Sequence, residues 1–199
     1  MKRFRGRRRG GAYAQFDQHE ARLIANLAAQ VAELVRDGTP TSVGSTDPLE
    51  ALVGIDGSAQ APEDPVLQRL LPDAYRDAAE DAADFRRFTE PGLRETKVGN
   101  AQAVIASLIA GGMAEDDVAA VSAPGVEVDA DLDAAGVQSW LRCLTDIRLS
   151  LATRLGITED DQERWDALAD DDPAVMMHEI YDWLGFVQET LVLALTPSR

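Results

Sequence analysis

Residues 137–157, VQSWLRCLTDIRLSLATRLGI, decide the fold class. Val137, Trp140, Leu141, Leu144, Leu151 and Leu155 recur at the three- and four-residue spacing that lines one face of an α-helix. Gly156 stands where a left-handed C-terminal residue is wanted, and Ile157 can fold back over the helix end. The spacing predicts a long core helix over about Leu132–Leu155. Arg148 falls in the middle of its apolar stripe. A charge placed there must snorkel to water or be paired, since an unpaired buried charge is costly. Asp182 and Glu189, one to two turns apart in the last predicted helix, are the acids expected to hold Arg148 in a structural ion pair. A ligand-binding arginine is the alternative.

Working outward, the same logic predicts more helices. Asp17 and Glu20 have the spacing of a capping box, opening a helix with Leu23, Ile24, Leu27, Val31, Leu34 and Val35 as its stripe and an end near Asp37-Gly38. Residues 39–64 carry Pro40, Pro48 and Pro62 with glycines at 44, 54 and 57, a loop-rich insertion with one short helix around Leu49–Val53. Asp64-Pro65 restarts a helix in the preferred order of cap and first-turn proline, and Pro72 stops it. Residues 73–88 read as a helix burying Tyr75, Ala78, Ala82, Phe85 and Phe88. Thr89 to Ile109 reads as another, stopped by Gly111-Gly112. An acidic connector, 158–172, holds Trp165, and the last helix runs from Pro173 to about Leu195. The expected architecture is a mainly α, α+β single domain over 1–199: a helical bundle with a small N-terminal antiparallel sheet.

That sheet is anchored on charge. Lys2, Arg3, Arg5, Arg7, Arg8 and Arg9 give the first sixteen residues +6; the chain total is −16, so residues 17–199 carry −22. Residues 1–16 are read as a basic hairpin, with Arg3, Arg5, Arg7 and Arg9 on one side, a two-residue turn at Gly10-Gly11, and Ala12, Ala14 and Phe16 returning on the arginine face. A floppy basic tail is the bland alternative. Val126-Glu127-Val128 is a short strand that would pair with the hairpin. So acidic a body repels nucleic acid and anionic membrane, which leaves Arg3, Arg5, Arg7, Arg8 and Arg9 as the candidate contacts for DNA or another anion.

No apolar run approaches a membrane span, and the basic N-terminus lacks a signal peptide's apolar stretch, so a cytoplasmic protein is expected. The single cysteine, Cys143, cannot form an internal disulfide or supply a Cys-rich zinc site. It reads as a small buried hydrophobe, with a redox role as the alternative. His178-Glu179 lacks a second histidine at metal spacing, and the only other one, His19, sits in a predicted first helical turn. There is no P-loop, no G-x-G-x-x-G and no G-x-S-x-G. No catalytic residue, cofactor or metal is therefore expected, and the protein reads as non-enzymatic.

Leu70–Tyr75 (LLPDAY), Phe85–Glu90 (FRRFTE), Asp146–Ile157 (DIRLSLATRLGI) and Tyr181–Glu189 (YDWLGFVQE) together resemble the actinobacterial DUF2017 family, in an order that covers nearly the whole chain. The resemblance implies regulation rather than catalysis: one branch of the family is described as oxidative-stress-responsive transcriptional regulators. The expected function is accordingly a stress-responsive transcriptional regulator acting through a protein partner such as a sigma factor or RNA polymerase, with DNA contacted only through the basic arm. Family genes commonly lie beside that of the Clp adaptor ClpS, and this implies the alternative, an accessory factor of Clp-dependent proteolysis.

Overall fold

The computed structural model describes residues 1–37, 60–75, 77–114, 126–158, 161, 164–165, 167–169 and 171–196. The short helix expected at 49–53 lies outside them, as does most of the 39–64 insertion. Among these described residues three strands and five α-helices follow in the order β1 (Lys2–Gly6), β2 (Ala12–Asp17), α1 (Gln18–Asp37), α2 (Pro65–Leu70), α3 (Ala79–Ala110), β3 (Glu127–Leu132), α4 (Ala134–Leu155) and α5 (Pro173–Leu195). The fold is mainly helical, with a three-stranded antiparallel sheet in the order β1-β2-β3.

Local chemistry sets the helix ends. The Asp17 carboxylate accepts from the Glu20 amide at 2.9 Å while the Asp17 amide donates to Glu20 at 2.9 Å, the reciprocal capping box. Asp64 accepts from the Val66 amide at 2.7 Å ahead of Pro65, and Asp172 caps α5 ahead of Pro173. Asp133 caps α4, so that helix begins two residues later than Leu132, which β3 uses instead. Gly156 is left-handed (φ 64°), and the Ile157 amide donates to the Ala152 carbonyl at 2.9 Å.

The core forms where α1, α4, the second half of α3 and the last turns of α5 meet the inner face of the sheet. Phe4, Phe16 and Trp140 sit with ring centroids 5.7–5.9 Å apart at its centre. The Trp140 indole N–H is satisfied by Ser107 Oγ at 2.9 Å. Alternation along β2 and β3 buries Ala12, Ala14, Phe16, Val128, Ala130 and Leu132 and leaves the other face to solvent. Each outer strand meets a helix end at close range. The Asp129 amide donates to the Gly111 carbonyl at 2.9 Å, with the end of α3 so close to β3 that any Cβ at Gly111 would overlap the Asp129 backbone. Gly6 approaches the Ala194 carbonyl of α5 in the same way.

Two expectations are corrected here. The hairpin turn is not a two-residue Gly10-Gly11 link: β1 ends at Gly6, and Arg7–Gly11 forms a wider loop closed by the Arg7 amide on the Gly11 carbonyl at 2.8 Å. Ala12, Ala14 and Phe16 consequently lie on the side of Phe4, away from Arg5, which pairs across from Tyr13. Helices 73–88 and 89–109 are one helix, α3, running through Pro91, and Tyr75, Phe85 and Phe88 lie exposed at 49%, 45% and 65%.

Candidate functional site

Of the predicted anion contacts, Arg5 and Arg7 lie on the solvent face of the sheet, beside Lys2. Lys2 reaches Glu127 at 2.7 Å and Gln15 at 2.8 Å. Arg7 lies 3.1 Å from Asp131, and its guanidinium sits 4.8 Å over the Tyr13 ring. Tyr13 and Gln15 both donate to Asp129, at 2.7 and 3.0 Å. The Tyr13 hydrogen bond leads in holding the Asp129 carboxyl below its ordinary value, and the same bond raises the Tyr13 phenol. The acids of β3 thus offset the basic strand across β2. Arg3 leaves this face altogether, its guanidinium 5.5 Å from the Phe186 ring of α5. Arg5, Arg8 and Arg9 make no ion pair, hydrogen bond or ring contact among the described residues and are exposed. The arm is therefore a folded strand with Arg5 free on β1 and Arg8 and Arg9 free in the turn. One of them, Arg9, holds a left-handed backbone (φ 64°) that an L-residue adopts at a cost of about 1–2 kcal/mol.

Arg148 is half-buried, and its partners are neutral. Nη1 donates to Gln188 Oε1 at 2.9 Å, Nη2 to the Tyr181 hydroxyl at 3.3 Å, and the guanidinium lies 4.8 Å over the Tyr181 ring. The expected ion pair with Asp182 or Glu189 is not formed. Tyr181, Gly185 and Gln188 share the α5 face that meets α4, and Gly185 leaves the notch into which the guanidinium fits. Asp182 and Glu189 are each one residue further round and exposed; Asp182 faces His178 at 3.7 Å instead. His178 in turn stacks on Trp165 at 4.3 Å.

Cys143 is 2% exposed inside the core, and burial, aided by the Asp146 charge, pushes its thiol up to about 12. Thiolate is the reactive form, so the redox candidate is shielded both sterically and chemically. One turn on, Asp146 is held by Lys97 at 2.6 Å; burial raises its carboxyl, and the lysine only partly offsets that. The pair floors a groove of about 430 Å³ between α3 and α4, rimmed by Leu93, Leu141 and Thr145.

Sequence reasoning missed the charge ladder on α3. Arg86, Glu90 and Arg94 are all buried, at 7%, 6% and 7%. Glu90 lies 2.6 Å from Arg94 and 3.4 Å from Arg86, Arg86 also binds Asp73, and Arg94 donates to the Val35 carbonyl of α1. Their i, i+4, i+8 spacing, with Ala82 one turn earlier, was the available signal. Among the described residues no group of His, Cys, Asp or Glu could hold a metal, and no helix is long and apolar enough to cross a membrane.

Comparison with known proteins adds an independent line. A Mycobacterium bovis protein named oxidative stress regulator AosR is 33% identical over 190 residues, covering 91% of this chain and 80% of that protein. A Mycobacterium tuberculosis protein (strain ATCC 25618 / H37Rv) of the same name matches with the same identity and coverage. No solved structure shows a significant match. The family model described as a domain of unknown function, DUF2017, matches residues 1–195, so the chain belongs to the DUF2017 family.

Proposed function

We propose that this protein is a non-enzymatic, cytoplasmic regulator of the oxidative-stress response that acts on transcription through a protein partner, a sigma factor or RNA polymerase. The observation that carries the reading is the 33% identity, across most of both chains, to proteins named oxidative stress regulators. The sheet surface supports a protein partner over extended DNA contact. Of six basic residues in the arm, Lys2 and Arg7 are matched by β3 acids and Arg3 lies on Phe186. That leaves Arg5, Arg8 and Arg9 on a body of charge −22, too few cations to hold a duplex against the repulsion of the rest. Three arginines beside a turn suit a short acidic segment on a protein partner.

The test is a deletion of the gene in its native host, with transcripts compared before and after peroxide. Loss of part of the peroxide-induced set, restored by the wild-type gene, is expected; an unchanged response would overturn the reading. A DNA shift assay across a salt series addresses the mode of action. Weak, sequence-independent binding is expected, and tight binding with a steep salt slope would replace the protein partner with DNA.

A further inference from the structure

The chain holds five sulfur atoms, in Cys143 and four methionines. Cys143 is closed inside the core. Met1 and Met113 are partly buried and packed against that core. Met176 and Met177 are different: adjacent in the opening turns of α5, they are 57% and 39% exposed. His178, the next residue, stacks on Trp165, and one turn further Tyr181 carries Arg148, so this end of α5 is anchored while its two thioethers face water.

We infer that Met176 and Met177 form the redox-modified site of this protein, oxidised by a peroxide or hypohalous acid ahead of Cys143 and the other two methionines, and that this oxidation regulates its output. The inference rests on the stress-regulator reading for its biological meaning, though not for its chemistry. In the peroxide case a thioether lone pair attacks one peroxide oxygen, an S–O bond forms as the O–O bond breaks, and the departing hydroxide takes the proton from the sulfur-bound hydroxyl to leave water and the sulfoxide. Sulfur loses two electrons and the peroxide gains them. The product, a sulfoxide, turns a flexible apolar side chain into a polar, chiral one. Because both residues are exposed, the change alters surface chemistry at the start of α5 and leaves the core packed. A thioether carries no titrating proton, so its oxidation by hydrogen peroxide is flat in pH, where attack by a thiol would accelerate as thiolate forms.

The full chain is titrated with hydrogen peroxide at pH 6 and pH 9, digested, and its peptides weighed. Expected is the gain of one and then two oxygens on the peptide holding Met176 and Met177, at the same rate at both pH values, before any gain on Met113 or Met1. Cys143 should remain fully alkylatable after unfolding, and Tm should move by less than about 2 °C. Modification of Cys143 or Met113 first would overturn the inference. The cellular arm places the Met176→Leu/Met177→Leu variant in a host lacking the wild-type gene. Loss of the peroxide-dependent change, with unstressed transcript levels retained, supports regulation through this site; a full peroxide response from the variant refutes it. Should the host lacking the gene respond to peroxide as the wild type does, the stress-regulator reading and the regulatory role of the pair fail together, while the order of modification still stands or falls on the peptide masses.

Discussion

Replacing Glu90 by alanine tests how the first half of α3 is held. This half adds almost no apolar area to the core: Ala82 is its one buried hydrophobic residue, and Phe85, Phe88 and Leu93 are exposed. What binds it is the Glu90 carboxylate between Arg86 and Arg94, with Arg94 reaching the Val35 carbonyl and Arg86 reaching Asp73. Glu90→Ala leaves two buried guanidinium groups of like charge without the carboxylate that lies between them. Breaking a buried pair from one side costs about 3–5 kcal/mol. At about 2–4 °C per kcal/mol for a chain of this size, calorimetry should show Tm falling by about 6–20 °C. Phe88→Ala, at a residue 65% exposed, should change stability by no more than about 0.5 kcal/mol. A Glu90→Leu/Arg94→Met variant should recover much of the loss, because it removes one buried charge of each sign instead of the acid alone. If Glu90→Ala melts like wild type, or Phe88→Ala melts earlier than it does, the ladder is not what seats this helix.

Three further outcomes follow from the same geometry. Arg148→Ala should lose only about 1–2 kcal/mol in urea unfolding, because its neutral partners Gln188 and Tyr181 leave no acid stranded; a loss above about 3 kcal/mol would mean a buried carboxylate depends on it. At Asp64, burial raises the carboxyl, but the Val66 amide, Arg154 and the Leu67 amide outweigh it and hold it below its ordinary value. Its ionised form therefore stabilises the fold above the unfolded value near 3.9, and that contribution disappears as pH falls through the lower folded value. Asp64→Asn, which still caps α2 but does not titrate, should flatten that acid limb in pH-dependent melting, and an unchanged limb would contradict the assignment. Neutralising Arg5, Arg8 and Arg9 to glutamine should leave Tm within about 2 °C of wild type while abolishing capture of an acidic peptide on a biosensor; retained capture would move the contact elsewhere.

The helix ends were the most legible part of the sequence because each is fixed by chemistry within four residues. Asp17 with Glu20, Asp64 with Pro65, and Gly156 with Ile157 all act where the spacing places them, and α5 begins at Pro173 as expected. The partnership of the Val126–Val128 segment with the hairpin was also readable, although the strand runs on to Leu132. The turn was not. Gly10-Gly11 has the composition of a two-residue link, but Phe4 must enter the core beside Phe16 and Trp140. That requirement fixes the pairing of β1, shifts its register between Lys2 and Arg5, and widens the loop.

The candidate site was less legible, and α3 and Arg148 show why from opposite sides. On α3 the aromatic residues Phe85 and Phe88 looked like the core face, yet the helix rotates to bury Arg86, Glu90 and Arg94. A hydrophobic pattern ranks residues by transfer from water and takes no account of partners 50 or 60 positions away, such as the Val35 carbonyl that receives Arg94. On α4 the reverse error occurs: Arg148 in an apolar stripe implied a buried acid, but its Nη1 and Nη2 are taken by an amide oxygen and a phenol, with an aromatic face below and Nε left without a hydrogen bond. In both places the decisive quantity is the number of acceptors within reach of the guanidinium, on its own helix and on α1 for Arg94 and on α5 for Arg148. Two hydrogen-bond acceptors and one ring face meet Arg148 from about two turns of α5, and Gly185 between them leaves the guanidinium its room, since an added Cβ would lie 3.3 Å from Nη2.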